Sequence, residues 1–175
     1  MRHVRDHYLP PDREAFAAAE PSTGRIIVIA PTRAACETIE LAVRLHLDTL
    51  LQREHGEEIV DLAGAGKGFG IVAGTGTGKT LSIRPIAETI LGTTELRVGV
   101  VNREREATPE TPSWNVVIVT TGIARRWFQD GDIVARDTLV VDEIHQTSAE
   151  LELCLALGKR VGCRFIWLSA TVGPT

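Results

Sequence analysis

The sequence predicts one α/β domain with a mostly parallel sheet and helices on both faces. Short apolar runs recur along the chain and alternate with segments that have helical periodicity. The runs are apolar throughout rather than alternating, which is typical of strands buried on both faces of a parallel sheet. Several end in a polar cluster, as parallel strands do at the active edge. The 175 residues, 43% of them hydrophobic, suit a single domain.

The net charge, the cysteines and the lack of a long apolar run disfavour several classes of protein. The net charge of −4 gives no global basic field, so any contact with nucleic acid must come from local groups. The three cysteines, Cys36, Cys154 and Cys163, are odd in number and lack Cys-x-x-Cys spacing, which favours buried or free thiols over a disulfide framework or a zinc site. Neither a long apolar run nor a signal peptide is visible. We therefore expect a cytoplasmic protein without a membrane partner.

The first half of the chain begins with an arm and a buried strand. Residues 1–24 mix prolines with an alanine-rich patch and predict a flexible N-terminal arm, so the folded domain is expected over residues 25–175. Residues 25–30 predict a strand that ends at Pro31. Thr32 can cap a long helix, which we expect to stop at His55-Gly56.

The second half alternates strands and helices. Residues 71–73 predict a short strand, followed by a glycine-rich turn and a helix over residues 79–91. Thr147 and Glu150 are spaced as a capping box at the start of a leucine-rich helix. Four further strands are predicted, over residues 98–101, 116–120, 138–141 and 165–168.

Residues 73–80 have the pattern of a phosphate loop, Ala-Gly-Thr-Gly-Thr-Gly-Lys-Thr, between a predicted strand and a predicted helix. The glycines let backbone N–H groups turn inward around phosphate oxygens at a helix N-terminus. Lys79 is expected to reach the β- and γ-phosphates of ATP, and Thr80 to offer its hydroxyl to Mg²⁺. The predicted nucleotide-binding residues are Gly74, Thr75, Gly76, Thr77, Gly78, Lys79 and Thr80.

Two adjacent carboxylates follow a later apolar strand. Asp142 and Glu143 stand where that strand reaches the active edge. Asp142 is expected to hold Mg²⁺, directly or through water, and Glu143 to deprotonate the water that attacks the γ-phosphate. An isolated Asp-Glu pair is usually a surface turn, but the upstream phosphate loop favours the metal site. Glu143 and Lys79 are therefore the predicted catalytic residues.

Four motifs together resemble the DExH-box helicases of superfamily 2. They are the Ala-x-x-Gly-x-Gly-Lys-Thr form of the phosphate loop, Thr120-Thr121-Gly122 with Arg125, Asp-Glu-Ile-His at residues 142–145, and Ser-Ala-Thr at residues 169–171. They occur in family order over residues 73–171. The resemblance implies a RecA-like P-loop NTPase domain, the ATP-binding half of a nucleic-acid helicase or translocase.

The resemblance also assigns roles outside the nucleotide site. His145, Ser169 and Thr171 would couple that site to nucleic acid and to a partner domain. Taken alone, such a serine or threonine more often forms a turn, and such a histidine more often makes a structural hydrogen bond. Residues of the Thr120-Thr121-Gly122 region would touch the backbone of single-stranded DNA or RNA, with predicted contacts from Thr121, Gly122 and Arg125.

Residues 125–128, Arg-Arg-Trp-Phe, form the one basic-aromatic cluster in the sequence. Such a cluster could stack a base, although these residues more often pack a helix and leave the arginines in water.

The chain order departs from the family pattern. The family places a strand ending in Pro-Thr-Arg after the phosphate-loop helix, whereas here Pro31, Thr32 and Arg33 precede it. We favour a rearranged (permuted) strand order in which this segment fills the usual slot and brings Thr32 and Arg33 beside nucleic-acid phosphates. The alternative is that Thr32 merely caps a helix and Arg33 is solvated.

We expect a second RecA-like domain or a partner chain to complete the active site, because residue 175 comes soon after the Ser-Ala-Thr motif. Such a partner would supply an arginine finger, which contributes about 10³ to 10⁵ in rate. The isolated chain is then a weak ATPase. The alternative function is a nucleotide-binding regulatory module, or a helicase fragment, without useful turnover. A P-loop kinase of small molecules is disfavoured by the Asp-Glu-Ile-His and Ser-Ala-Thr motifs.

Overall fold

A computed structural model describes residues 24–45, 50–72, 79–102, 113–143 and 149–169. Within these ranges the chain forms six strands, five α-helices and a 3₁₀ helix at Thr80–Ser82. The strands are β1 (Ile26–Ala30), β2 (Phe69–Val72), β3 (Val98–Val101), β4 (Val116–Thr120), β5 (Thr138–Glu143) and β6 (Arg164–Ser169). The helices are α1 (Arg33–Arg44), α2 (Leu50–Gly64), α3 (Ile83–Leu91), α4 (Thr121–Gln129) and α5 (Ala149–Val161). The predicted arm lies outside the described residues, apart from Gly24.

All six strands form one parallel sheet, in the order β2-β6-β5-β1-β4-β3. β1 comes first along the chain yet lies inside the sheet, paired with β5 on one side and β4 on the other. Parallel strands point the same way, so their carboxyl ends meet at one edge, which is where ligands bind in open α/β sheets. The predicted α/β class with a parallel sheet is confirmed.

Helices cover both faces of the sheet, as the unbroken apolar strands predicted. Ile26 and Val28 of β1 belong to a cluster with residues of α1, α2 and α3. Ile27 and Ile29 belong to a second cluster, with residues of α4 and α5. Full burial of one such side chain contributes about 1.5 to 3 kcal/mol to the stability of the fold. β1 therefore contributes to the stability of both clusters.

The helix after β1 begins as predicted and ends earlier. The Thr32 hydroxyl oxygen accepts a hydrogen bond from the Ala35 backbone N–H at 3.1 Å, which is the predicted cap. α1 nevertheless ends at Arg44, and the backbone of Leu45 is extended. The prediction of one helix from Thr32 to residue 55 was therefore wrong.

The predicted helix stop at His55-Gly56 was also wrong, because α2 runs through both residues. A glycine inside a helix costs about 1 kcal/mol relative to alanine. Ile59 and Ala63, farther along α2, are buried in the core. Burying these side chains offsets that cost, so tertiary packing overrides the local signal.

A buried ion pair fixes the amino end of β1. A guanidinium nitrogen of Arg25 lies 3.4 Å from the Asp137 carboxylate, and both side chains are almost wholly buried. The carboxylate also accepts the backbone N–H groups of Arg25 at 2.9 Å and Val134 at 3.0 Å. The same guanidinium donates to the Asp132 carbonyl oxygen at 2.6 Å and lies 5.4 Å from the centre of the Trp127 ring. These contacts attach the first strand to the beginning of β5.

The structure also bears on two expectations from the sequence, one about the cysteines and one about membrane-spanning helices. The side chains of Cys36, Cys154 and Cys163 are buried thiols, as predicted. Among the residues that the structure describes, no helix combines the length and apolar content needed to cross a membrane.

Candidate functional site

The carboxyl ends of β2, β6 and β5 lie side by side. Val72 pairs with Ser169, and Ser169 pairs with Glu143. Val72 is the last described residue before the predicted phosphate loop, and Glu143 is the second carboxylate of the acidic pair. Neighbouring strands are about 4.8 Å apart. The end of β2 and the end of β5 are therefore two strand spacings apart, and Ser169, a predicted coupling residue, is buried between them.

A direct hydrogen bond joins the two predicted metal-binding side chains. The Thr80 hydroxyl donates to a carboxylate oxygen of Asp142 at 3.2 Å, although the residues are 62 positions apart. Thr80 stands at the start of the 3₁₀ helix that leads into α3, and Asp142 lies near the end of β5. The strand continues two residues beyond the predicted run of 138–141, which carries Asp142 to the edge of the sheet. The fold thus brings the two motifs into contact.

The surroundings of Asp142 favour its neutral form. Burial raises the pKa of this carboxyl above its usual value, while the hydrogen bond from Thr80 and the positive charge of Lys79 pull it down. Burial is the largest of these effects, because the side chain is only 5% exposed. The Thr80 hydrogen bond and the Lys79 charge offset only part of the effect of burial, and a bound cation would stabilise the carboxylate further.

This donor set fits ATP with Mg²⁺. Mg²⁺ binds oxygen ligands, usually one or two carboxylates together with phosphate oxygens and water. Thr80 and Asp142 offer a hydroxyl and a carboxylate oxygen within hydrogen-bonding distance of each other, so both can face one ion. The ammonium of Lys79, whose charge is felt at Asp142, is suited to phosphate oxygens.

Several predicted site residues cannot be placed. Residues 74–78 of the phosphate loop lie outside the described residues, as do His145 and Thr171. For Glu143 the backbone is described as the last residue of β5 and the side chain is not. Their predicted roles remain predictions.

A groove lies farther along the same edge, where β1 and β4 end. Its volume is about 700 Å³, and the turn after β1 and the starts of α4 and α5 contribute to its lining. Ala30 pairs with Thr120, so the turn after β1 is adjacent to the start of α4. The lining includes all five residues that the sequence predicted as nucleic-acid contacts, Thr32, Arg33, Thr121, Gly122 and Arg125. Thr32 both caps α1 and lines the groove, so the two interpretations of its turn are compatible.

The basic-aromatic cluster divides between the core and the groove. Trp127 and Phe128 are buried in the apolar cluster under α4 and α5, with 1% and 8% exposure. Arg125 and Arg126 line the groove instead. A base cannot stack on a ring enclosed in the core, so the aromatic residues pack the helix, which is the interpretation that the sequence favoured.

The sequence did not reveal the contacts of Glu150. It was expected to form a capping box with Thr147, which lies outside the described residues. In the structure its carboxylate accepts a hydrogen bond from the Thr121 hydroxyl at 2.8 Å and another from Nε of Arg125 at 3.3 Å, and the capping box stays a prediction. These partners are 29 and 25 positions away in the chain. No short-range pattern carries that information.

Neither the protein-family models nor the curated proteins gave a match to this chain.

Proposed function

We propose that this chain is the RecA-like, ATP-binding domain of an ATP-dependent nucleic-acid helicase or translocase of the DExH type. The observation that carries the proposal is the hydrogen bond between Thr80 and Asp142. It joins the last residue of the phosphate-loop motif to the first residue of the acidic motif. A chance Gly-Lys-Thr turn and a chance surface Asp-Glu pair have no reason to meet at one edge of the sheet.

Each side chain has a defined role in this proposal. Lys79 binds the β- and γ-phosphates, and Thr80 and Asp142 bind Mg²⁺. The metal, when bound, neutralises charge on the phosphate oxygens. Glu143 orients the attacking water and accepts its proton.

The strand order supports the nucleic-acid part. Because β1 lies between β5 and β4, the Pro31-Thr32-Arg33 turn lines the same groove as Thr121 and Arg125. The groove lies at the same edge as the nucleotide site. A strand of DNA or RNA bound there would therefore lie close to the acidic motif. This arrangement favours a rearranged chain order in which residues 26–30 fill the slot that the family gives to a later strand.

The test is ATP hydrolysis with and without single-stranded DNA or RNA. Lys79→Ala should lose nucleotide binding, whereas Glu143→Gln should keep binding and lose turnover. Lys67→Ala is a matched control, because Lys67 is an exposed lysine in another glycine-rich loop and lies before β2. We expect turnover to be weak without a second RecA-like domain or partner chain that supplies an arginine finger.

Three results are distinguishable. Turnover stimulated by nucleic acid and lost in both variants supports the motor. Nucleotide binding with no turnover, even when a second RecA-like domain is added, supports the alternative of a nucleotide-binding regulatory module. Failure to bind Mg-ATP at all contradicts both.

A further inference from the structure

The carboxylate of Glu150 occupies an anion-binding position in the groove. One oxygen accepts a hydrogen bond from the Thr121 hydroxyl, with an O–O distance of 2.8 Å. The other accepts a hydrogen bond from Nε of Arg125, with an N–O distance of 3.3 Å. The second oxygen also lies 3.9 Å from where a Cβ on Gly122 would stand, an ordinary van der Waals distance, so the carboxylate lies beside the first turn of α4. Glu150 belongs to α5, so this anion comes from another element of the fold.

The start of α4 is suited to an anion. The sequence of its first turn contains no acidic residue, and within the described part of the chain Thr120 makes no side-chain capping bond there. A helix N-terminus carries partial positive charge and exposes N–H donors. Arg125 is one helical turn beyond Thr121, which adds a full positive charge on the same face.

The contact is also easy to exchange. The side chains of Arg125 and Glu150 are 37% and 43% exposed. Ion pairs with this exposure contribute little to stability, because water solvates the separated groups well. A phosphodiester presents oxygens with the same charge and the same acceptor capacity as the carboxylate. Replacing one by the other leaves the donors of Thr121 and Arg125 satisfied.

We propose that Glu150 is a built-in competitor that holds the place of a nucleic-acid phosphate and is displaced when a single strand enters the groove. This inference rests on the nucleic-acid part of the proposed function. The carboxylate accepts the hydrogen bonds that a bound strand would accept, and its charge repels the phosphates of the strand. It thereby weakens the binding of single-stranded nucleic acid. A residue that merely oriented Thr121 and Arg125 for binding would have the opposite effect when neutralised, so the sign of one measurement separates the two roles.

The experiment is fluorescence anisotropy of a labelled single-stranded oligothymidylate of about 20 nucleotides, long enough to span one binding site. Glu150→Gln should bind about three- to tenfold more tightly than the wild-type protein at low salt. Glu152→Gln is the matched control, because it removes the same charge from another exposed residue of the first turn of α5. Its affinity should change less than twofold. Arg125→Gln should bind more weakly.

Further measurements keep the result interpretable. Thermal unfolding should show Glu150→Gln folded, since the side chain is half exposed. If it is not, Glu150→Asp, which withdraws the carboxylate by one methylene, should bind with intermediate affinity. Lys67→Ala, which removes an exposed lysine that does not line the groove, should bind the oligonucleotide as the wild type does, and a loss as large as that of Arg125→Gln would show that binding follows overall charge rather than the groove and overturn the inference.

Two outcomes of the oligonucleotide-binding experiment would overturn different proposals. Wild-type binding combined with unchanged or weaker binding by Glu150→Gln overturns the competitor role and leaves the proposed function intact. Absence of oligonucleotide binding by every variant, in a protein that binds Mg-ATP, overturns the inference together with the nucleic-acid part of the proposed function.

Discussion

The buried pair of Arg25 and Asp137 allows a direct test of how β1 is held in the sheet. We consider Asp137→Asn, which preserves the shape of the side chain and creates no cavity. In the wild-type protein both oxygens of Asp137 accept hydrogen bonds, one from the Arg25 backbone and the other from Val134 and the Arg25 guanidinium. The amide has one acceptor oxygen, so at least one buried donor loses its partner.

The expected cost follows from these contacts. An unsatisfied buried donor costs about 1 to 3 kcal/mol. Breaking a buried ion pair by removing one charge typically costs about 3 to 5 kcal/mol. Because the Asp132 carbonyl and the Trp127 ring still contact Arg25, we take the lower end, about 3 kcal/mol. In a domain of this size about 1 kcal/mol shifts Tm by 2 to 4 °C, so we expect a loss of about 6 to 12 °C.

The assay is reversible unfolding in urea and by heat, with Glu58→Gln as the control for loss of one charge. Glu58 lies in α2, 69% exposed and 4.0 Å from a histidine nitrogen, so its substitution should cost less than about 0.5 kcal/mol. If Asp137→Asn costs no more than this control, the buried pair does not hold β1 in the sheet.

Three further predictions concern the site, the thiols and the helices. Because the pKa of Asp142 is raised in the folded protein, stability falls as pH rises through that pKa, and the loss is fully regained only below the pKa of the unfolded chain. Asp142→Asn should therefore raise the free energy of unfolding by about 0.5 to 2 kcal/mol at neutral pH, with a gain that shrinks in acid, while Mg-dependent ATP affinity falls at least about tenfold. Burial raises the pKa of Cys154 to about 11 and that of Cys163 to about 12, so neither should react with iodoacetamide at pH 8 until the protein unfolds; alkylation of the native protein at the rate of the unfolded one would contradict this. Gly56→Ala should stabilise the protein by about 0.5 to 1 kcal/mol, because an added Cβ meets nothing within 4 Å. Gly158→Ala should destabilise it by about 1 to 3 kcal/mol, because the same atom meets side chains at 2.5 and 2.8 Å, and equal effects of the two substitutions would contradict the packing argument.

The parts of the fold that could be predicted are those with a strong local signal. The central strands are apolar on both faces, and such runs are read from sequence alone, as β1 and β4 illustrate. The passage of α2 through Gly56 could not be predicted in this way, because it is stabilised by burial of Ile59 and Ala63 and burial depends on the rest of the fold. The end of α1 at Arg44 has no glycine or proline to mark it in the sequence.

The residues of the candidate site also differ in how well the sequence predicts them. The spacing and context of the phosphate-loop and acidic motifs predicted that Thr80 and Asp142 belong to one site, and their side chains are hydrogen-bonded in the structure. The contacts of Glu150 and the pairing of Arg25 with Asp137 join positions 25 or more apart. Such contacts follow from the order of strands in the sheet, which the sequence left as alternatives.

The order of the strands explains how one edge of the sheet collects residues from distant parts of the chain. In a parallel sheet every strand delivers its carboxyl end to the same side, whichever segment of the chain supplies it. β5 carries Asp142 and pairs directly with β1, where Ile29 stands opposite Val141. The turn after β1 is therefore about one strand spacing, roughly 4.8 Å, from the strand that holds the acidic pair. In the proposed function, communication between groove and nucleotide would pass through the turns and helix starts at this edge. Thr32, Thr121 and Glu150 occupy those positions.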